Sequence, residues 1–309
     1  MEKLFYDIFD YSIPVPQFGG AFHITTLFIV LALTTLLCVF FRNCKSSTVK
    51  KILFVAWLAM ALLETSKQIA MNTSFVDGHI SWGYNWYIFP FQFCSSPLYV
   101  IPIILLAKEG RVQNAAIAFM TTFSLFAGAA VMFNVGDVFT WYLWVDIQTM
   151  THHGLQIVLG IFLAVRYRDK LHIKQYLGAI VVFLGLVAMA MIINHVVSVT
   201  THEYINMFFI NPLHDTTLPI LSRLYKGIPY IAFFAIYVLG FALAGFIVYM
   251  LEIGIKALIL KLTQRNLVVV SEVTEDTILE ELKETKTDKK PASTKKSTTK
   301  QTSAKTKKK

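Results

Sequence analysis

One cysteine and two adjacent histidines in this chain lie within long apolar runs. Cys94, His152 and His153 are the residues able to do nucleophilic and acid–base chemistry, because an imidazole within hydrogen-bond reach of a thiol can generate the reactive thiolate. An ionisable side chain in hydrocarbon costs at least ~2.5 kcal/mol and usually faces a bundle interior or a watered cavity. Further polar residues in or beside the apolar runs are Glu64, Lys67, Gln92, Ser95, Gln156, Asn194 and His195. We therefore predict one polar pocket, in the outer half of a membrane.

The elements that must position these residues follow from composition. The chain has 309 residues, of which 55% are hydrophobic and only 15% charged, and apolar runs of about 20 residues recur along it. A transmembrane barrel would instead show short stretches that alternate apolar and polar residues. The composition therefore predicts an all-α, polytopic membrane protein.

Seven transmembrane helices are predicted from the apolar runs and the charges, prolines and aromatic residues that bound them. Their predicted ranges are Ala21 to Phe41, Ile52 to Met71, Tyr87 to Ala107, Asn114 to Phe133, Ile147 to Val165, Tyr176 to Ser198 and Ile228 to Leu251. Lysine and arginine follow the first, third and fifth runs, whereas the linkers 72–86 and 134–146 contain neither. By the positive-inside rule the N-terminus lies outside and the C-terminus in the cytoplasm of a multi-pass cell-membrane protein. Tryptophans at 82, 86, 141 and 144 then form an aromatic belt at the outer surface.

Three regions follow from this topology. Residues 1–20 form an outer-surface segment that is either an interfacial helix or a disordered polar end. Residues 21–255 form the transmembrane domain, and residues 256–309 form a cytoplasmic tail. Beyond about residue 267 the tail is first acidic and then lysine-rich, which predicts disorder. Its lysines are expected to bind anionic inner-leaflet lipid at about 1 kcal/mol per charge. Nucleic acid is not an expected partner, because no aromatic residue accompanies the lysines.

Two helical faces gather polar residues. Glu64 and Lys67 are three residues apart, so the acid and the amine can pair on one side of the second span. Gln148, His152 and Gln156 repeat every four residues along one stripe of the fifth span. A polar stripe facing lipid would be costly, so we predict that it looks inward. Structural pairing and interhelical hydrogen bonding are the alternative roles of these residues.

Two irregular segments accompany these faces. Pro97 cannot donate a hydrogen bond to the carbonyl of Phe93, so the backbone beside Cys94 is predicted to be kinked. Gln92 and Cys94 point about 200° apart in an ideal helix, so only such a distortion lets both serve one pocket. The outer linker from Val199 to Gly227 carries an apolar stretch and is expected to fold back against the bundle mouth as a lid.

Several short motifs carry a family resemblance over roughly residues 20–255. They are Tyr87-Ile-Phe-Pro-Phe-Gln-Phe-Cys-Ser-Ser, the pair His152 and His153, Asn206-Met-Phe-Phe, Pro212 and Ile228-Pro-Tyr. These motifs resemble the YwaF family of bacterial integral membrane proteins, which is similar to a vertebrate transmembrane acyltransferase acting on ether phospholipids through a membrane cysteine. The resemblance implies Cys94 as the acyl-accepting nucleophile and His152 or His153 as general base. Where the family pattern has a histidine, this chain has Gln92.

The first functional hypothesis is therefore a lipid acyltransferase or acyl hydrolase that needs no cofactor and has membrane lipid as its partner. Cys94 would attack the acyl ester, and Gln92, Ser95 or Asn194 would donate hydrogen bonds to the oxyanion. Glu64, Lys67, Gln156 and His195 would complete the polar wall of the substrate pocket.

Two alternatives come from other classes. A transporter or channel for a small solute or ion would use Gln92, Gln156 and the Glu64–Lys67 pair, although no internal repeat is evident. A metal-dependent membrane hydrolase would need His152, His153, His195 and Glu64 to converge, although no paired ligand spacing appears and we assign no metal ligands.

Overall fold

The computed structural model describes residues 2–170 and 172–287. The chain divides into two compact units, Met1–Lys256 and Ala257–Lys309. The helices of the described residues are α1 (Glu2–Phe9), α2 (Ala21–Phe41), α3 (Ser46–Asn72), α4 (Pro97–Leu106), α5 (Arg111–Phe119), α6 (Leu125–Phe133), α7 (Leu143–Arg166), α8 (Ile173–Thr200), α9 (Leu221–Tyr225) and α10 (Tyr230–Thr287).

Five helical segments in the described part of the chain are long and apolar enough to cross a membrane. They are Ala21–Phe41, Ser46–Asn72, Arg111–Phe133, Ile173–Thr200 and Tyr230–Leu258. A span of this kind needs about 20 apolar residues, because the helix rises 1.5 Å per residue through some 30 Å of hydrocarbon. The protein is therefore an all-α, polytopic membrane protein.

The remaining two predicted spans take other forms. The third is broken into 3₁₀ turns at Trp86–Ile88 and Phe93–Ser95, followed by the ten-residue helix α4. Proline causes the break, since Pro97 takes the first position of α4 where its missing N–H is harmless. The fifth is α7, which has 24 residues but carries several buried polar side chains.

Two side chains of α3 donate hydrogen bonds to backbone carbonyls of α4. Pro102 cannot donate to the Leu98 carbonyl one turn earlier, and the indole N–H of Trp57 donates to that carbonyl instead at 2.9 Å. The ammonium of Lys50 donates to the Leu105 carbonyl at the C-terminus of α4 at 2.8 Å, where a cation is favoured by the helix dipole.

Helix α7 is packed closely by glycines. A Cβ on Gly128 of α6 would lie 2.7 Å from Gln156 Cβ and 2.8 Å from the His153 carbonyl oxygen. A Cβ on Gly154 would lie 2.6 Å from Val30 Cγ2 of α2. Only a residue without a side chain permits this close approach of backbones, which is a common device where membrane helices meet.

A π-helical turn, Met120–Ser124, joins α5 to α6 into one continuous bent segment. Phe123 of this turn is the first of a row of packed aromatic rings, and it stacks on Phe183 of α8 at 4.9 Å between centroids. Phe183 is 6.0 Å from Phe241 of α10, and Phe241 makes an edge contact with Phe93 at 4.8 Å. This row of rings ties three spans to the broken segment that carries Cys94.

The linker 72–86 forms a β-hairpin, which the sequence did not predict. Strands β1 (Thr73–Val76) and β2 (His79–Trp82) pair antiparallel, and Asp77 and Gly78 turn the chain with positive φ angles. Of the two alternatives for the N-terminal segment the structure has the helix, α1, which packs on the hairpin where Tyr6 stacks on Phe75 at 5.8 Å.

Helix α10 continues to Thr287, into the region beyond about residue 267 for which the sequence predicts disorder. Its leucines, glutamates and lysines are all good helix formers, and that preference outweighs the low apolar content. The remaining lysine-rich stretch, 288–309, with its predicted binding to anionic lipid, lies outside the described residues.

Candidate polar site beside Cys94

The backbone carbonyl of Cys94 is the point on which two side chains of α7 converge. His152 Nε2–H donates to this oxygen at 3.1 Å, and the amide Nε2 of Gln156 donates to the same oxygen. The carbonyl is available because Pro97, three residues later, has no N–H to close the next 3₁₀ bond. The expected open acceptor at Phe93 is instead satisfied by the Ser96 N–H at 3.2 Å.

These contacts fix the protonation of both imidazoles. A carbonyl can only accept, so His152 carries its proton on Nε2, and His153, whose Nδ1 lies 2.6 Å from the Thr149 carbonyl, carries its proton on Nδ1. The other ring nitrogens, His152 Nδ1 and His153 Nε2, are buried without a hydrogen-bond partner, as is Gln156 Oε1. Three buried acceptors thus have no donor among the residues that the structure describes.

His23 provides the contrast. Its Nε2 donates to the Met132 carbonyl at 2.8 Å and its Nδ1 accepts from the Gly19 N–H at 3.1 Å. Both nitrogens are satisfied, so this histidine is structural. Unpaired buried acceptors are uncommon in folded proteins and call for an explanation such as a catalytic role.

The Cys94 thiol itself is half-buried. Within the described residues, no hydrogen bond joins its sulfur to either imidazole, so the histidine contact is to the carbonyl of Cys94. The charge of Lys67 lies close enough to act electrostatically on Cys94, His152 and His153 alike. A thiol, two imidazoles and an ammonium therefore share one neighbourhood.

Glu64 and Lys67 form the expected ion pair, with Nζ 2.7 Å from Oε1. Gln68 donates to the same carboxylate oxygen at 2.9 Å, and Gln148 of α7 donates to the other oxygen at 3.2 Å. The predicted inward orientation of the α7 stripe is confirmed, since Gln148, His152 and Gln156 are all buried. The carboxylate links α3 to α7 directly beside the histidines.

Gln92 and Asn194 have a different role from the one expected. The Gln92 amide donates to the Asn206 carbonyl at 3.0 Å and accepts from the Phe208 N–H at 2.9 Å. Asn194 of α8 binds the backbone of Met207, the residue between them: its amide donates to the Met207 carbonyl at 3.0 Å and accepts from the Met207 N–H at 2.7 Å. Both amides are occupied as clamps on the outer linker.

The clamped linker covers the Cys94 segment, as its apolar stretch predicted. Phe208 is only 1% exposed and lies 5.8 Å from the Phe91 ring and 5.6 Å from the Phe93 ring. Its φ of 59° and that of Phe209, 56°, fall in the left-handed region. A non-glycine residue there is strained by about 1–3 kcal/mol, and such strain persists only where the surroundings enforce it.

His195 is separate from the other predicted site residues. It lies exposed on α8, whereas its neighbour Asn194 is buried, because successive residues of a helix point about 100° apart. The structure therefore does not group His195 with the buried polar residues of α3 and α7. Ser95 is buried next to Cys94, within the 3₁₀ turn Phe93–Ser95.

Two residues were missed that hold the linker in place. Asn206 accepts from the Asn211 N–H at 2.9 Å, and the Asn211 amide donates to the Ile205 carbonyl at 2.6 Å. Two buried asparagines in an apolar loop were the available signal, since asparagine commonly hydrogen-bonds the nearby backbone in turns.

A metal centre is not supported by the geometry. Among the described residues, no three histidine, cysteine, aspartate or glutamate side chains are grouped so that they could hold a metal ion. His195, one of the four ligands expected for a metal-dependent hydrolase, lies outside the polar cluster.

Apolar spans around an internal polar cluster define a polytopic α-helical membrane protein with a buried polar site. The chain belongs to the TMEM164 family, whose pattern matches residues 17–252. No curated protein and no solved structure matches the chain significantly. The YwaF resemblance and the acyltransferase activity remain predictions.

Proposed function

We propose that this protein is a lipid acyltransferase or acyl hydrolase of the cell membrane with Cys94 as its nucleophile. The observation that carries the proposal is the convergence of His152 and Gln156 on the peptide of Cys94, with the second nitrogen of His152 unpaired and buried. A neutral imidazole with one nitrogen anchored and the other free is the arrangement of a general base.

In the first step the Cys94 thiol gives its proton to His152 Nδ1, and the sulfur attacks the carbonyl carbon of a phospholipid ester. The tetrahedral intermediate then expels the lysolipid alkoxide, which takes that proton back, and leaves an acyl thioester on Cys94. In the second step an acceptor hydroxyl, from a lysolipid or water, attacks the thioester as His152 removes its proton. The leaving thiolate regains the proton from His152.

The Cys94 carbonyl supports this cycle. When His152 is protonated at Nδ1, its Nε2–H donates to the carbonyl as a charged donor, and such bonds are roughly twice as strong as neutral ones. The carbonyl thereby orients the ring and stabilises the imidazolium, as the carboxylate does in a serine hydrolase triad. The mechanism requires the thiol to reach Nδ1 in the substrate-bound state, and catalytic hydrogen bonds often form only in that complex.

The full topology belongs to the same proposal. Helix α7 and the broken segment that ends in α4 join the five apolar spans to give seven crossings, with the N-terminus outside and the C-terminus in the cytoplasm. Lys50 and Arg166, which donate to the carbonyls of Leu105 and Cys44, then lie on the cytoplasmic side. The Cys94 site lies in the outer half of the bilayer.

A transporter is less well supported by the geometry. The Glu64 carboxylate, which was expected to coordinate a solute, is held by Lys67, Gln68 and Gln148. Gln92 is likewise occupied by the outer linker. A transport site needs groups that are open to an incoming solute.

Replacement of Cys94 tests the proposal. In liposomes with the purified full chain, we expect Cys94→Ala to abolish transfer of a deuterated acyl chain from phosphatidylcholine to a lysophospholipid and its hydrolysis to free fatty acid, followed by mass spectrometry. Cys38→Ala is the matched control, because Cys38 is a half-buried thiol of α2 outside the polar cluster, and it should leave transfer unchanged. Undiminished transfer by Cys94→Ala would exclude the nucleophile assignment.

A further inference from the structure

A groove of about 430 Å³ lies between α2 and α7, away from the Cys94 contacts. Its walls are apolar for most of its length, and no charged side chain lines it. The residues of α2 that line it are Ala21, Phe22, Thr25, Thr26, Ile29, Val30 and Leu33. Those of α7 are Ile147, Met150, Thr151, Gly154, Leu155 and Val158.

A glycine brings the two helices together within the groove. Because Gly154 has no Cβ, Val30 approaches the α7 backbone, and a Cβ there would be only 2.6 Å from Val30 Cγ2. This contact forms the floor, while Ile29 and Leu33 on the rim remain 52% and 42% exposed. The α2 residues from 21 to 33 extend over roughly 18 Å at 1.5 Å per residue.

Two threonine hydroxyls lie part of the way along the groove, between Ala21 and Leu33 on α2 and between Ile147 and Val158 on α7. Thr26, Thr34 and Thr35 of α2 donate to the carbonyl four residues earlier, which is the usual arrangement for threonine in a helix. Thr25 and Thr151 line the groove and make no hydrogen bond to any described residue. Toward Leu33 and Val158 the walls are purely aliphatic.

These features select the occupant. The groove follows a helix long and apolar enough to span the membrane, so the space beside it is hydrocarbon and not water. A helix of about 10 Å diameter and that length occupies roughly 1,400 Å³, so a helix of a second copy would rest on the rim and not lie within the groove. A single extended hydrocarbon chain with a polar end matches both the narrow volume and the two free hydroxyls.

We infer that this groove binds one acyl chain of a bilayer phospholipid, with its ester group at the hydroxyls of Thr25 and Thr151 and its tail directed toward Leu33 and Val158. Thr151 and His152 are consecutive, so the lipid ester and the Cys94 carbonyl contact lie at one depth on neighbouring faces of α7. The inference rests on the groove and its membrane setting, and it holds whether or not Cys94 is a nucleophile.

Lipid retention in native mass spectrometry tests the inference. The purified full chain is equilibrated with 1-palmitoyl-2-oleoyl-phosphatidylcholine in detergent and the bound lipid is counted after dilution. We expect one retained lipid for the unmodified protein and an occupancy about tenfold lower for Ile29→Trp, whose ring fills the groove. Leu239→Trp is the matched control, since Leu239 is 68% exposed on α10 and does not line the groove. This variant should retain the lipid.

Two further variants separate this inference from folding and from catalysis. Thr151→Val keeps the volume and removes one hydroxyl, so it should retain the lipid several-fold less well without a change in melting temperature. Cys94→Ser should retain the lipid fully, even where acyl transfer is lost. Equal retention by Ile29→Trp and the unmodified protein would overturn the inference, as would a mass showing a second protein copy in place of the lipid.

Discussion

At the scale of single residues, the buried polar groups divide into satisfied and unsatisfied atoms. The Glu64 carboxylate receives donors from Lys67, Gln68 and Gln148, and the pair is largely withdrawn from solvent. In the described part of the chain, no group donates a hydrogen bond to His152 Nδ1 or His153 Nε2. Burying a polar group without a hydrogen-bond partner costs free energy, so the unsatisfied atoms are the ones available to hydrogen-bond a ligand or to take part in a reaction. The satisfied groups hold the helices together.

Removal of the Glu64 carboxylate tests its structural role. Glu64→Leu leaves the Lys67 ammonium without its counter-ion, and we expect the free energy of unfolding in mixed detergent to fall by about 3 kcal/mol. The double variant Glu64→Leu with Lys67→Met removes both charges and should recover most of that loss. Asp7→Ala breaks the exposed Lys3–Asp7 pair and serves as the control, with no measurable change expected.

At the scale of elements, the close packing of α6 against α7 sets the position of the polar stripe. Gly128 faces Gln156 and the His153 carbonyl, at distances that exclude any side chain. The outer linker is positioned in a different manner, by hydrogen bonds from Gln92 and Asn194 to its backbone. The site is thus enclosed by one rigid wall and one clamped cover.

A methyl group at position 128 tests the rigid wall. Gly128→Ala should force α6 from α7, lower the melting temperature by several degrees and reduce acyl transfer at least about tenfold, because misplacement of about 1 Å can cost two orders of magnitude. Gly185→Ala is the control, since a Cβ there would meet nothing within 4 Å. That variant should be neutral or slightly stabilising, as alanine is the better helix former.

The clamp makes a prediction for hydrogen exchange. Asn194→Ala leaves the buried N–H and carbonyl of Met207 without partners, at a cost of about 1–3 kcal/mol, so amides of residues 205–210 should exchange at least about tenfold faster. Thr200→Ala, six residues further along α8, removes only a hydroxyl bonded to its own helix and should not change that exchange. Unchanged protection in Asn194→Ala would show that the linker is held by its aromatic contacts alone.

At the scale of the whole molecule, the proposed orientation places the hairpin turn and the loop after α7 on opposite sides of the membrane. Both are exposed in the first compact unit, at Asp77 and Asp169 respectively. The sequence basis is the alternation of basic linkers with linkers that lack lysine and arginine.

Thiol labelling of intact cells tests this orientation. In a background with Cys38 and Cys44 replaced by serine, a membrane-impermeant maleimide should label Asp77→Cys directly and Asp169→Cys only after permeabilisation. The parent with Cys94 alone measures background labelling. Labelling of Asp169→Cys in intact cells, with Asp77→Cys protected, would reverse the proposed topology.

Periodicity in the sequence was sufficient to predict the local polar geometry. The ion pair of Glu64 and Lys67 depends only on a spacing of three residues in a helix, and the inward stripe of α7 depends only on a spacing of four. The break before α4 likewise follows from Pro97, because a residue without an N–H cannot continue the hydrogen-bond ladder.

Tertiary packing decided what each polar group meets. The sequence could not show that His152 contacts the Cys94 carbonyl and not its thiol, or that His195 lies exposed. Nor could it show that Gln92 and Asn194 hold the backbone of a linker 114 and 13 residues further along the chain. Spacing along one helix fixes which residues share a face. It does not determine which other helix covers that face, because that depends on close approaches such as those of Gly128 and Gly154, which involve segments distant in sequence.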